Sequence, residues 1–243
     1  MKNKRTFAIG DIHGCLKGLQ QCLERSGFDK SVDQLIQIGD VADGWSQVPE
    51  CVDELLTIKN LIAIRGNHDV WCWNWFTSGA TPIIWTQQGG VATIEAYIKT
   101  GKLVEQSHRD FWNNQIDFHI DDENRLFVHA GFDLQYGFDL SKNMKVNIPN
   151  ATELHWNRDL ADLTEARWNK STGKISKEYV LKFKEIFIGH TAHQSLDFNK
   201  CQNIWNIDTG AGWHGKLTIM DINTKEYWQS DEVKSLYPNE LGR

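Results

Sequence analysis

The chain of 243 residues lacks the features that mark several protein classes. It has no apolar run close to the roughly 20 residues that a membrane-spanning helix needs. It has no block of basic residues and a formal net charge of −6, so we expect neither nucleic-acid binding nor attachment to an anionic membrane. The opening MKNKRTFAIGDIHG is basic, but its apolar run is too short for a signal peptide. These absences predict a soluble, cytoplasmic protein.

The cysteines show no CxxC spacing, and their number, five, is odd. This pattern favours free thiols in a reducing compartment over a disulfide framework or a thiolate metal site. Cys15 directly follows GDIHG (10–14), and we interpret it as a small apolar helix residue.

Short apolar runs alternate with amphipathic stretches in the first part of the chain. TFAIG, QLIQIG and LIAIR each have the composition of a buried strand. Between them, apolar residues recur at helical spacing from Leu16 to Leu23 and from Val48 to Leu56. This order favours parallel strands joined by right-handed crossovers. The sequence therefore predicts an α/β fold, and its length favours a single domain, residues 1–243.

The rest of the chain continues this pattern with additions. We predict a helical insertion over about residues 70–115, and RLFVHAG and IFIGH as further strands. Residues 133–150 resemble an irregular loop, and helices are expected near 151–162 and 176–184. The tail, 202–231, is strand-rich and has the turn chemistry of an antiparallel meander.

Polar side chains follow five predicted strands at their carboxyl ends, where open α/β sheets place their sites. Oxygen and imidazole groups without sulfur suit Mn²⁺, Fe²⁺ or Zn²⁺ better than a thiolate zinc finger. Each residue alone has an ordinary explanation as a turn, a helix cap or a core histidine. Together they predict a metal site. In chain order the residues are Asp11, His13, Asp40, Asp43, Asn67, His68, Asp69, His129 and His190.

Five motifs resemble those of the calcineurin-like metallophosphoesterases: GDIHG (10–14), GDVADG (39–44), GNHD (66–69), HAG (129–131) and GHT (189–191). Their order and spacing are similar to the bacterial and phage phosphoprotein-phosphatase branch, which includes serine/threonine phosphatases and symmetrical diadenosine-tetraphosphate hydrolases. The resemblance implies a four-layer αββα fold, in which helices flank a central β-sandwich.

The resemblance also implies two divalent ions, with Mn²⁺ as the first expectation and Fe²⁺ or Zn²⁺ as the alternatives. Two ions about 3.5–4 Å apart share a water, lower its pKa and clamp the phosphoryl oxygens during attack by the resulting hydroxide. The implied ligands are Asp11 and His13 for the first ion, Asn67, His129 and His190 for the second, and Asp40 for both.

By the same resemblance, His68 acts as the catalytic acid that protonates the leaving oxygen, and Asp43 orients its imidazole. The alternative for Asp43 is that it caps the helix that follows.

Three positions concern the substrate phosphate. The family motif has an arginine where this chain has Gly44, and we expect that an arginine would fit there. Arg65, before GNHD, and Arg158, in LHWNRDL, match arginines in phage and bacterial relatives. We predict that both bind the phosphate, because a guanidinium holds two phosphoryl oxygens in one plane. Surface solvation or an ion pair is the alternative.

Trp71, Trp73, Trp75 and Trp85 lie close together in the helical insertion. A stacking platform for a nucleobase would favour dinucleotide substrates. Packing of helices on the sheet is the simpler interpretation, because Trp71 and Trp75 lie on one helical face.

These residues favour a metal-dependent phosphatase that hydrolyses phosphomonoesters, either phosphoproteins or small molecules. The alternatives are a symmetrical dinucleoside-polyphosphate hydrolase and a metal-binding module with weak catalysis. The sequence does not define the oligomeric state.

Overall fold

The structure, a computed structural model, describes residues 4–134, 152–164, 180–193 and 203–243. Within these residues the strands form a five-stranded and a four-stranded sheet. The strands are β1 (Thr6–Ile9), β2 (Gln34–Ile38), β3 (Asn60–Ile64), β4 (Phe118–Ile120), β5 (Arg125–Val128), β6 (Glu185–Ile188), β7 (Ile204–Asn206), β8 (Thr218–Asp221) and β9 (Tyr227–Gln229).

Both sheets are mixed. The first has the order β3-β2-β1-β8-β9; β1, β2 and β3 are parallel, and β8 and β9 are antiparallel to their neighbours. The second has the order β4-β5-β6-β7; β5, β6 and β7 are parallel, and β4 is antiparallel to β5. The predicted parallel pairing of the first three strands is confirmed.

Side chains on the central strands alternate between two buried layers. In β1, Phe7 and Ile9 pack against helices, whereas Ala8 faces the second sheet. In the second sheet, Phe127 of β5 and Phe187 of β6 face the first sheet, and their rings stack 4.9 Å apart. Because residues of both sheets form one buried cluster, the sheets pack face to face, as the predicted sandwich requires.

Helices cover the outer faces of the sandwich. They are α1 (Leu16–Arg25), α2 (Val48–Leu56), α3 (Asn67–Ser78), α4 (Ile83–Trp85), α5 (Val91–Thr100), α6 (Gln106–Asn114), α7 (Thr152–Trp156), α8 (Asp159–Thr164) and α9 (Val233–Leu236), with a π-helical turn at Thr86–Gly90 and 3₁₀ turns at Lys102–Val104 and Val180–Lys182. Apolar residues of α1, α2, α3, α5 and α6 pack on the first sheet, and those of α7 and α8 on the second. The predicted four-layer αββα fold is confirmed.

Two predicted helices differ from the structure. The helix expected at 151–162 is divided into α7 and α8, because the Asn157 side chain accepts the backbone N–H of Asp159 at 2.8 Å and begins a second helix. Of the helix expected at 176–184, a single 3₁₀ turn lies within the described residues. The rest of that prediction, like the loop expected at 133–150 beyond Leu134, lies outside them.

The antiparallel meander predicted for the tail is partly wrong. β8 and β9 form the expected hairpin, and the Asp221 carboxylate accepts the backbone N–H groups of Asn223 and Thr224 in its turn. β7 instead joins the other sheet, parallel to β6. The backbone groups of Ile186 and Ile188 form hydrogen bonds with backbone groups on either side of Ile204. Assignment of the whole chain to one domain stays a prediction.

Cys15, Cys22, Cys51 and Cys72 are buried free thiols, and Cys201 lies outside the described residues. Among the helices that the structure describes, none has the length and apolar character needed to cross a membrane.

Candidate metal centre and active site

The six predicted metal ligands converge at one end of the sandwich. Since β1, β2 and β3 are parallel, the loops at their carboxyl ends lie side by side, and the loops after β5 and β6 meet them across the sandwich. Nearly all the surface of each side chain is buried. The six residues are Asp11, His13, Asp40, Asn67, His129 and His190.

Asp11, His13 and Asp40 form the first of two groups able to hold a metal ion, because one ligand atom from each lies within 4.8 Å of the others. His13 Nε2 lies 4.0 Å from Asp11 Oδ2 and 3.6 Å from Asp40 Oδ2.

Asp40, His129 and His190 form the second group, with the same spacing. His129 Nε2 lies 3.4 Å from Asp40 Oδ2. The Asn67 Oδ1 atom joins this group, 3.1 Å from His129 Nε2 and 3.0 Å from His190 Nδ1. Asp40 is shared by the two groups, as the predicted bridging role requires.

The atoms of this cluster fit a metal site. The Nδ1–H groups of His13 and His129 donate to the carbonyl oxygens of Ala42 and Ile38, at 2.9 and 2.8 Å, so each ring turns the lone pair of Nε2 to the cluster. Asp40 Oδ2 and His190 Nε2 are buried without a hydrogen-bond partner among the described residues. Buried polar atoms are rarely left unpaired, and metal coordination satisfies Asp40 Oδ2, whereas His190 turns its other nitrogen, Nδ1, to Asn67 in the cluster.

Charge interactions within the cluster are strong. Burial raises the pKa of Asp40, but His129 and His68 outweigh it and hold that pKa well below its usual value. Burial lowers the pKa of His129, but Asp40 opposes it and the pKa rises to about 10. The pKa of Asp11 lies well above its usual value because of burial and of the nearby Asp208 carboxylate. Divalent cations would relieve the repulsion between these carboxylates.

Glycines allow the motif loops to approach this closely. A Cβ atom on Gly66 would overlap Asp40 Oδ1, and one on Gly189 would overlap Asp11 Oδ1. The glycines of the GNHD and GHT motifs therefore leave space for the site carboxylates.

Asp69 holds the loop that carries Asp40. Asp40 has a left-handed backbone, with φ of 56°, which a side chain rarely adopts without support. The buried carboxylate of Asp69 provides it by accepting the backbone N–H groups of Asp40, Val41 and Ala42 at 2.9 to 3.0 Å, and that of Gly66 at 3.0 Å. The sequence placed Asp69 in a motif without a role, and the structure shows it to be the support of the loop.

We expect Asp69→Asn to lower the free energy of unfolding by about 2–4 kcal/mol, because an amide NH₂ group would face backbone N–H groups that now bond to a carboxylate oxygen. Urea denaturation measures the change, with Asp110→Asn at an exposed position of α6 as control. A loss similar to that of the control would contradict this role of Asp69.

His68 and Asp43 form a buried pair beside the cluster. The Nδ1–H group of His68 donates to Asp43 Oδ2 at 2.5 Å, and Nε2 faces Arg243 and His13. Trp85 Nε1 and Thr93 Oγ1 also donate to the Asp43 carboxylate, at 2.8 and 2.7 Å. Helix α2 begins at Val48, beyond the reach expected of a cap at Asp43, so the capping alternative is not supported.

The two predicted phosphate-binding arginines lie in different environments. Arg158 Nη1 donates to Thr191 Oγ1 at 3.0 Å, and the side chain lines a cavity beside His190. Arg65 instead donates to the carbonyl oxygens of Trp112 and Asn113, at 2.9 and 3.1 Å, at the end of α6. These contacts support a structural role for Arg65, and its binding of phosphate stays a prediction that they do not favour.

Gly44 does not provide the unstrained position that we expected for an arginine. Its φ is 83°, and a Cβ atom there would lie 3.1 Å from the carbonyl oxygen of His13. A side chain at this position is strained by its backbone conformation and crowded by the loop after β1.

The tryptophans of the insertion have different surroundings. Trp75 is partly buried and packs on Phe76, Trp85 and Tyr97 of the core, as the packing interpretation predicts. Trp71 contacts the His68 ring edge-on, with centroids 5.1 Å apart.

A cavity of about 220 Å³ opens onto the cluster. Two of its lining residues, Asp208 and Arg243, carry charges that the sequence analysis did not assign. Asp208 is buried, accepts the backbone N–H of Gly210 at 2.9 Å and influences the charge state of Asp11. The cavity's other lining residues include His13, His190, Arg158 and Trp213.

Together the four-layer fold and the oxygen and nitrogen groups at its strand ends define an α/β protein with a candidate metal centre. Residues 4–195 match the family described as calcineurin-like phosphoesterase. The chain belongs to this family and is a hydrolase of phosphoester bonds. Membership implies divalent metal ions and a phosphorylated substrate.

Similar proteins carry two kinds of name. The symmetrical bis(5'-nucleosyl)-tetraphosphatase of Pseudomonas fluorescens is 24% identical, with 91% of this chain and 92% of that protein covered. Serine/threonine-protein phosphatase 1 of Salmonella typhimurium is also 24% identical, with 90% and 92% covered. A protein serine/threonine phosphatase from Saccharomyces cerevisiae shares the fold at a TM-score of 0.62 and 13% identity, with 94% of this chain and 80% of that chain covered.

Proposed function

We propose that the protein is a two-metal phosphatase that hydrolyses phosphomonoesters. The observation that carries the proposal is the position of Asp40, which belongs to two groups of metal-ligating atoms and lies beside the buried pair of His68 and Asp43. The first ion is assigned to Asp11, His13 and Asp40, and the second to Asp40, Asn67, His129 and His190. Mn²⁺ is the first candidate, and Fe²⁺ and Zn²⁺ suit the same donors.

Two divalent ions supply Lewis-acid stabilisation of phosphoryl charge and activate water as the nucleophile at neutral pH. Every proposed ligand is buried, and a small cavity opens onto them. Arg158 lies at the cavity wall, where its guanidinium binds two phosphoryl oxygens while Thr191 holds one of its Nη atoms.

His68 supplies the proton that the leaving oxygen needs. Asp43 fixes the proton on Nδ1 and stabilises the ring when it also carries a proton on Nε2, the nitrogen turned to the cluster. Trp85 and Thr93 fix Asp43 in turn. A protein that only binds metals has no need of this buried pair, which speaks against the metal-binding alternative.

A dinucleoside polyphosphate is the second candidate substrate. The bis(5'-nucleosyl)-tetraphosphatase relatives support it, and so do aromatic side chains around the cavity. Trp213 lines the cavity with 48% of its surface exposed, and Trp156, 37% exposed, contacts the ring of His190. Exposed indoles next to a phosphate site are suited to stack on a base.

The test is a substrate panel with the Mn²⁺-loaded protein: p-nitrophenyl phosphate, a phosphopeptide and diadenosine tetraphosphate. We expect turnover of the two monoesters that disappears with chelator, and the ratio of kcat/KM between substrates decides between the two candidates. Faster cleavage of diadenosine tetraphosphate would replace the first candidate with the second. If the protein binds two ions per chain but turns over none of these substrates with Mn²⁺, Fe²⁺ or Zn²⁺, both candidate functions are contradicted.

A further inference from the structure

Arg243 places a guanidinium in the centre of the site. Its Nη1 group donates to His68 Nε2 at 2.9 Å and to His13 Nε2 at 3.1 Å, and it lies 4.0 Å from Asp40 Oδ2. This residue follows the GHT motif by more than fifty positions, and no motif in the sequence singles it out.

Contacts on several sides hold the segment that carries Arg243. Its backbone N–H donates to the carbonyl oxygen of Gly212 at 2.9 Å. Gly242 lies so close to the indole of Trp45 that a Cβ atom would be 2.8 Å from the ring. Glu240, three residues before Arg243, accepts the backbone N–H and hydroxyl of Ser46, at 2.9 and 2.8 Å. The guanidinium is therefore delivered to the site by a packed segment.

The guanidinium itself is incompletely paired. It is 14% exposed and lies over the Trp213 ring, 5.1 Å from the centroid, but its buried Nε–H has no acceptor among the described residues. A buried N–H group without an acceptor is costly, and a guanidinium is matched best by two oxygens in one plane. A phosphoryl group in the adjoining cavity supplies such oxygens.

The hydrogen bonds from Arg243 to His13 and His68 are not compatible with the roles that the proposed function gives these two histidines. Nε2 of His13 has one lone pair, which the proposed function assigns to a metal ion, and Nε2 of His68 carries a proton when that ring acts as an acid. Nε2 of His13 cannot accept a hydrogen bond from Arg243 when it binds a metal ion. Nε2 of His68 cannot accept one when it carries a proton. The guanidinium then needs another acceptor within the same cavity.

Gly44 and Arg243 line one cavity together with Gly89. A Cβ atom on Gly89 would lie 2.7 Å from the Gly44 backbone nitrogen and 3.3 Å from Arg243 Cγ, so the stem of Arg243 and position 44, where the family motif has its arginine, are both neighbours of Gly89. We propose that Arg243 binds the substrate phosphoryl group and supplies from the end of the sequence the guanidinium that is missing at position 44. This inference rests on the proposed function.

The experiment measures binding of inorganic phosphate by calorimetry to the Mn²⁺-loaded protein and to Arg243→Ala and Arg243→Lys, with metal content determined for each. We expect Arg243→Ala to raise the Kd for phosphate roughly 10- to 100-fold at unchanged metal content, since it loses a charge-assisted bond. Arg243→Lys should recover part of the affinity, because lysine keeps the charge without the planar pair of donors. KM for p-nitrophenyl phosphate should rise in parallel.

Arg25→Ala is the matched control. It also removes one arginine, but at the last residue of α1, where Arg25 is paired with Asp231. Unchanged phosphate affinity in Arg243→Ala, with wild-type protein that binds phosphate, would overturn this inference and leave the proposed function standing. Higher metal affinity and faster turnover in Arg243→Ala would also overturn it, because Arg243 would then compete with the metals. Wild-type protein that takes up metals but no phosphate would refute the proposed function and this inference together.

Discussion

Replacing His68 by asparagine should lower kcat by about 10²- to 10⁴-fold, the usual contribution of a positioned acid, while the metal content stays the same. The ring lies beside the ligand cluster, but its Nδ1 is occupied by Asp43 and its Nε2 contacts Arg243. An asparagine side chain can keep the bond to Asp43 but has no group that donates a proton to the leaving oxygen.

The loss should depend on the leaving group. Esters such as p-nitrophenyl phosphate need little protonation of the departing oxygen, so Asn at position 68 should cost less for them than for phenyl phosphate. The measurement is kcat on both esters together with metal analysis, and His119→Asn on β4 is the control. Loss of metal would make His68 a ligand, and equal losses on both esters would exclude its role as the acid.

Local patterns were sufficient to place the candidate site residues at the ends of predicted strands, whereas the assignment of ligands to each ion came from the family resemblance and stays a prediction. Asp11, Asp40 and His190 each follow a short apolar run at a carboxyl strand end, and parallel strands bring such ends together. β1, β2, β5 and β6 were recognisable because nearly all their residues are buried, so that apolar residues predominate along them. The sandwich itself was implied by the family resemblance and is confirmed.

Other parts of the structure had no comparable signal. β4 has three half-buried residues and therefore no apolar run. The sheet to which β7 belongs is set by long-range pairing, which a strand pattern does not encode. Asp69 was in a quoted motif, but its role depends on backbone N–H groups 27 to 29 residues away.

The residues around the catalytic pair show the same limit. Trp85 is wholly buried and contributes to packing, yet its N–H also positions Asp43, so the choice between packing and function did not apply to it. Arg65 and Arg243 are the opposite cases. Arg65 lies directly before a motif but bonds to the end of a helix, whereas Arg243 lies far from every motif but reaches His68 and His13.

Replacing Asp40 by asparagine should weaken both metal sites at once. Oδ1 of Asp40 accepts the backbone N–H of His68 at 3.0 Å, and Oδ2 faces the Nε2 atoms of His13 and His129. The bond to His68 fixes the orientation of an asparagine in the same place: its oxygen keeps the N–H, and its NH₂ group takes the position of Oδ2. The oxygen ligand shared by both ions is then replaced by an NH₂ donor, and the site loses one negative charge.

Titration with Mn²⁺ by calorimetry, supported by metal analysis, measures this effect, and thermal unfolding of the metal-free protein checks that the fold is kept. Asp11→Asn is the matched comparison, because Asp11 belongs to the first group alone. We expect about two ions to bind to the wild type, Asp11→Asn to weaken one of them, and Asp40→Asn to weaken both and abolish turnover. If Asp40→Asn keeps one ion at unchanged affinity, Asp40 is not the bridge, and the two ligand groups do not act as one site.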